Sequence, residues 1–215
     1  MTTVIIPELP FSLDHDGSPA CRHEVDDGAL TLTAAPETDM FVDPAGAEAA
    51  PDAGRLVGEP PDGDFTFTAK ATVTFGSTFD AAVLLVYADD RHWAKLCFEF
   101  SPQRIPMAVT VVTKGTSDDC NSFEVSGQEL WLRITRVGLA WAFHASADGR
   151  WWRLLRYFTL ADSAGDPVSG QPPTTQQPTT MIGFLAQSPL GQGCTARFDH
   201  IALRAGAPAD LRDGS

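Results

Sequence analysis

The sequence predicts an all-β fold built from two packed antiparallel sheets, and three observations predict it. Residues 65–75 (FTFTAKATVTF) alternate apolar side chains with Thr or Lys over their full length, the period of a half-buried strand. Beyond them, turn signals recur about every 8–12 residues, the spacing of an antiparallel meander. No helical period persists for three turns, so sheet must pack on sheet to bury the apolar faces. With 215 residues, the expected organisation is one sandwich domain over residues 1–204 and a frayed tail over 205–215.

The elements follow in order. Short extended pieces at 4–6 and around Phe11, interrupted by Pro7 and Pro10, suit a sheet edge. Segments 21–25 and 29–34 flank Asp26-Asp27-Gly28, a hairpin signal, and the alternation of 29–33 turns Leu30 and Leu32 inward. Residues 36–63 carry five prolines, and seven carboxylates against one arginine, which predicts a long connector with no regular element. Within it, 38–43 is a short extended piece expected at the rim of a sheet face. The apolar run 81–87 predicts a strand covered on both faces, and Asp89-Asp90 turns it into 93–100. A bend leads to a strand at 108–113, a polar loop at 114–121, and a meander at 129–136, 139–146 and 151–159. Residues 161–180, rich in Pro, Ser and Thr, read as a surface loop with the reach of a lid. Segments 181–187 and 195–204 are the last strands.

A formal net charge of −13 argues against nucleic acid or an anionic membrane as partner, because like charges repel. No run approaches the roughly 20 apolar residues that span a bilayer. The opening MTTVIIPELPF lacks the basic and apolar regions of a secretory signal. Cys21, Cys97, Cys120 and Cys194 are scattered, with no CxxC pair. Reduced thiols in the cytoplasm are therefore expected, with no metal site and no cofactor.

The functional signal is concentrated in 80–136. Written as a strand, 93–100 places Trp93, Lys95, Cys97 and Glu99 on one face and Ala94, Leu96, Phe98 and Phe100 on the other. The second face is plain core. The first sets an aromatic, a cation and a carboxylate into apolar strands, where charge is costly unless it is used or paired. Asp39, Asp80, Thr113, Ser117, Asp118 and Arg133 complete the expected ligand-binding set. Trp93 would offer a plate for a sugar ring, and the polar groups would set its orientation. Glu99 is the candidate catalytic residue. A structural alternative pairs Lys95 with Glu99 and Arg133 with Asp118 as a salt-bridge scaffold. Trp131, Trp141, Trp151 and Trp152 are expected in packing.

The ordered set Asp80, HWAKLCFE (92–99), VVTKGTSD (111–118), LWLRITR (130–136), SADGRWWRLLR (146–156) and GFLAQSPLGQG (183–193) resembles a family of uncharacterised regulation-of-enolase-type domains. That family lies in the concanavalin A-like lectin/glucanase superfamily, and the resemblance spans about residues 38–204. It implies a jelly-roll sandwich with a concave sheet, the surface on which superfamily relatives bind or cut sugars. In one departure, Asp119 and Cys120 follow Ser117-Asp118 where the family usually has an aromatic, which moves any stacking to Trp93 or Phe41.

Three functions stand as expectations. The first is binding of a small-molecule ligand, a carbohydrate or sugar-like metabolite, on the concave face. The second is a hydrolase or lyase with Glu99 as acid or base. Sugar-cutting relatives carry Glu-x-Asp-x-Glu on one strand, whereas this strand has only Glu99, so a second carboxylate would come from Asp118, Asp39 or Asp80. The third, implied by the resemblance alone, is a regulatory module that binds a protein partner.

Overall fold

The computed structural model describes residues 3–17, 21–46, 50–160 and 179–215, and every regular element among them is a β-strand. One seven-stranded antiparallel sheet runs β1 (Asp14–Asp16), β6 (Arg55–Gly58), β15 (Met181–Gln187), β8 (Ala81–Asp89), β9 (His92–Phe100), β10 (Pro106–Lys114) and β11 (Thr116–Glu124). The other runs β14 (Arg153–Phe158), β13 (Ala140–Ser146), β12 (Glu129–Val137), β7 (Phe65–Val73), β16 (Thr195–Ala205), β3 (Ala29–Thr33) and β2 (Arg22–Asp26). A ribbon of β4 (Met40–Phe41) and β5 (Ala50–Pro51) stands apart. The expected two-sheet sandwich is therefore present. No helix long and apolar enough to cross a membrane occurs among the described residues.

The inner faces meet in one apolar core. Phe65, Phe67, Ala69, Ala71 and Val73 of β7 pack toward Ala94, Leu96 and Phe98 of β9 and Leu130, Leu132 and Ile134 of β12. Phe67 meets Phe184 edge-on at 5.3 Å between ring centroids. Each such large side chain stabilises the sandwich by about 1.5–3 kcal/mol on burial.

Three segments depart from the sequence expectation. Inside the expected connector 36–63, Arg55–Gly58 is a fully buried strand between β1 and β15. Gly183 makes that pairing possible, because a Cβ there would fall onto the Leu56 carbonyl. Residues 114–121, read as a polar loop, belong largely to β11, whose polar side chains face water at the edge of the sheet. The tail after residue 205, expected to be free, is hydrogen-bonded to the sandwich. It lies on the outer face of the second sheet, where its carbonyls are used: His144 Nε2 donates to Leu211 O at 2.9 Å and the Trp152 amide to Gly214 O at 2.9 Å. Most of the expected surface loop, 161–178, lies outside the described residues.

Candidate functional site

The outer face of the first sheet is organised by its register. Lys95 shares a rung with Leu85 and Val111, Cys97 with Val83 and Val109, and Glu99 with Ala81 and Met107. Trp93, Cys97, Val83, Leu85, Val109 and Val111 form a second apolar cluster there, distinct from the inter-sheet core. A strap of residues 38–42 crosses this face from the end of β15 to the edge strand β11. At one end the Ser188 amide donates to Thr38 O at 3.1 Å. At the other, the Ser117 amide donates to Val42 O at 2.8 Å and the Val42 amide donates back to Ser117 Oγ at 2.9 Å. The strap drops Met40 into the cluster and seals Trp93, both fully buried.

Beside the strap remains a cavity of about 230 Å³. Val109 and Val111 form its apolar floor, Phe41 and Phe79 its aromatic walls, and Lys95, Glu99, Asp39, Asp119 and Gln187 its polar lining. Larger surface hollows, about 310 Å³ beside Trp151 and about 500 Å³ beside Arg22, are lined by no buried charged side chain.

Lys95 is 2% exposed. Its Nζ donates to Gln187 Oε1 at 2.8 Å and to Asp39 Oδ1 at 3.4 Å. Gln187 Nε2 donates to Phe79 O at 3.2 Å, which turns the amide oxygen toward the ammonium. Burial opposes the lysine charge, but Asp39, Cys97 and Glu99 around it hold its pKa above the ordinary value. Glu99 is 8% exposed and has no hydrogen-bond partner among the described residues. Burial pushes its pKa up to about 8 against the pull of Lys95, with Asp39 and Asp119 adding to the rise. At neutral pH the group is thus mostly a neutral acid, able both to donate and to accept.

The family model described as "Protein of unknown function (DUF1349)" matches residues 17–205. The chain belongs to that family. A relative of this DUF1349 chain in Saccharomyces cerevisiae, Regulation of enolase protein 1, is 28% identical over 163 residues, 75% of each chain. The crystal structure of a functionally unknown protein from the same yeast superposes with a TM-score of 0.74 at 22% identity, covering 91% of this chain and 97% of that one. A xylan beta-1,4-xylosidase from Bacillus halodurans superposes with a TM-score of 0.64 at 14% identity, over 86% of this chain and 34% of its own. At these identities, the two structures establish a shared fold.

The residues singled out in the DUF1349 sequence separate into groups. Asp39, Lys95 and Glu99 line the cavity. Trp93 lies under the strap, fully buried, and offers no open face to a ligand. Thr113 and Ser117 form the latch, their hydroxyls 2.8 Å apart. Asp80 is fully buried and holds a turn: the Gly76 and Ser77 amides donate to Oδ2 at 2.8 Å each, and Ser188 Oγ donates to Oδ1 at 2.6 Å. Asp118, next to Asp119 on β11, points to the opposite face and pairs with Arg156 at 2.6 Å. Arg133 belongs to the other sheet, where Nη1 donates to Ser215 O at 2.6 Å and the guanidinium stacks on Trp152 at 4.4 Å. The scaffold pairs Lys95–Glu99 and Arg133–Asp118 are therefore replaced by Lys95–Asp39 and Arg156–Asp118. Gln187, Phe79 and Asp119 were missed. Gln187 carried a signal, as the polar end of an apolar strand, and Asp119 follows from Ser117 once β11 is read as a strand.

Proposed function

We propose that the chain binds a small polar ligand, a carbohydrate or sugar-like metabolite, in the cavity beside the strap. The carrying observation is Glu99, a carboxyl group more than nine-tenths buried, with no hydrogen-bond partner among the described residues, opening on a cavity next to a charged lysine. The carboxyl lines the cavity, where a ligand hydroxyl can exchange hydrogen bonds with it. Phe41 and Phe79 supply apolar faces for a ring, and the few convergent polar groups set its orientation. The xylosidase likeness supports the ligand class by analogy of fold.

Binding is favoured over turnover. Asp39 is engaged by Lys95 and by the Met40 amide at 2.6 Å, and Asp119 is exposed, so neither is set up as a partner acid or base for Glu99. The four free cysteines fit a reducing compartment, the cytoplasm.

The test is thermal unfolding of wild type and Glu99→Leu, which removes both the donor and the acceptor, against sugars. A ligand at a hundred times its Kd stabilises by about 2.7 kcal/mol, a rise of several degrees. The rise is expected with wild type and lost in the variant. An equal rise in both, or none with any sugar, removes this reading.

A second reading rests on the name of the yeast relative, which points to regulation of an enolase-type metabolic enzyme. Stoichiometric co-elution of the chain with enolase would support it, and separate elution at micromolar concentrations would remove it.

A further inference from the structure

Resting on the binding reading above, we infer that the cavity takes a single uncharged sugar ring, free or at a chain end, and rejects sugar acids and sugar phosphates. Size sets the first limit. At about 230 Å³ the space lies below the roughly 300–1,000 Å³ of clefts that enclose drug-sized ligands, so one ring fills it.

The strap sets the second limit. Anchored at Ser188 beyond β15 and at Ser117 on β11, it crosses the face from β15 over β8, β9 and β10 to β11, and Phe41 stands at the cavity wall. A polysaccharide laid along the strands would run into this dam, whereas a terminal ring enters with its chain trailing outward. The sheet face is a pocket rather than a through-going groove.

Charge sets the third. Among the described residues Lys95 is the one cation in the lining, and Asp39 and Gln187 already occupy two of its donors. Asp119 faces the same space, and no arginine among the described residues lines it to grip a phosphate or carboxylate bidentately. Around this lining, the chain carries a formal net charge of −13. Glu99, mostly neutral at pH 7, adds a donor and an acceptor without adding charge. Hydroxyl groups, each donor and acceptor at once, match this lining, whereas an added anion does not.

Isothermal titration of the full chain with D-xylose, D-glucose, D-galactose, D-glucuronate, glucose 6-phosphate and xylotriose at matched ionic strength tests the inference. At least one neutral monosaccharide is expected to bind. Glucuronate and glucose 6-phosphate should be weaker by about tenfold or more, and Asp119→Asn should narrow that gap. Xylotriose should bind one-to-one with the affinity of xylose, to within a few-fold. Equal or tighter binding of an acid or phosphate would overturn the charge selection. An affinity that climbs more than about tenfold from xylose to xylotriose would overturn the end-on entry. Both outcomes would leave the binding reading standing. Heats absent for every sugar would remove the binding reading itself, and this inference with it.

Discussion

Gln187 Oε1 lies 2.8 Å from Lys95 Nζ, although Cys97 occupies the ladder rung between their own rungs. The two side chains lean toward each other over the thiol, and the glutamine amide is the near acceptor of a buried ammonium. Gln187→Leu should therefore destabilise the fold by about 1.5–3 kcal/mol, the range for hydrogen bonds to charged groups. Lys95→Met in the same background should recover part of that loss, because the buried ammonium has gone with its near acceptor, although its ion pair with Asp39 is given up. Urea unfolding of the single and double variants measures both effects, with an unchanged m-value marking an intact fold. A double variant no more stable than Gln187→Leu would refute the pairing.

How much of this was legible in the sequence follows from the physics of each element. Strand β7 shows its period because one face is core and the other solvent, and β9 shows its two faces for the same reason. Strand β11 hid itself, since an edge strand in water has no apolar alternation to display. Strand β6 hid among prolines and acids, being only four residues long. At the site, Lys95 and Glu99 stood out as charges in apolar strands. Which carboxylate would reach Lys95 did not, because Asp39 arrives on a strap 56 residues earlier in the chain. Arg133 and Asp118 looked like partners from residue type alone. Their opposite placements depend on sheet assignment and strand parity, which no local pattern carries.

The strap gives a local prediction. Ser117 Oγ accepts from the Val42 amide at 2.9 Å and shares a 2.8 Å hydrogen bond with Thr113. Ser117→Ala leaves that amide and the buried Thr113 hydroxyl unsatisfied, a loss of about 1–3 kcal/mol. Because the latch holds one end of the strap, hydrogen exchange at Val42 and neighbouring amides should quicken while β7 and β12 keep their protection. Uniform loss of protection across the sandwich would show that the strap is no separate unit.

Asp80 separates scaffold from site. Its three hydrogen bonds join the turn before β8 to Ser188, where the strap is anchored. Asp80→Ala should destabilise by about 3 kcal/mol or more, as charge-assisted bonds are lost together. The folded fraction should keep its ligand affinity to within a few-fold, since Asp80 does not line the cavity. A variant of wild-type stability that had lost binding would place Asp80 in the site after all.

Glu99 and His144 give the molecule opposed pH dependences. For Glu99 the folded pKa, about 8, exceeds the ordinary value of 4.5, chiefly through burial. Between those values the folded state holds a proton that the unfolded state has released, so stability falls as pH rises from about 4.5 to about 8. For His144, burial lowers the folded pKa to about 4 from 6.5, with the Arg133 charge adding to the fall and the Leu211 carbonyl opposing it. There the unfolded state binds the extra proton, so stability rises as pH climbs through that window. The two contributions oppose each other below about pH 6.5 and leave Glu99 alone above it. Glu99→Gln should therefore be more stable than wild type at pH 8, by an amount on the order of a few kcal/mol. It should differ little at pH 4, where the carboxyl is protonated in both states. Urea unfolding at pH 4, 6, 7 and 8 measures the difference. A variant less stable than wild type at pH 8 would mean that the carboxylate is paired in the fold, and would withdraw the open acid on which ligand recognition rests.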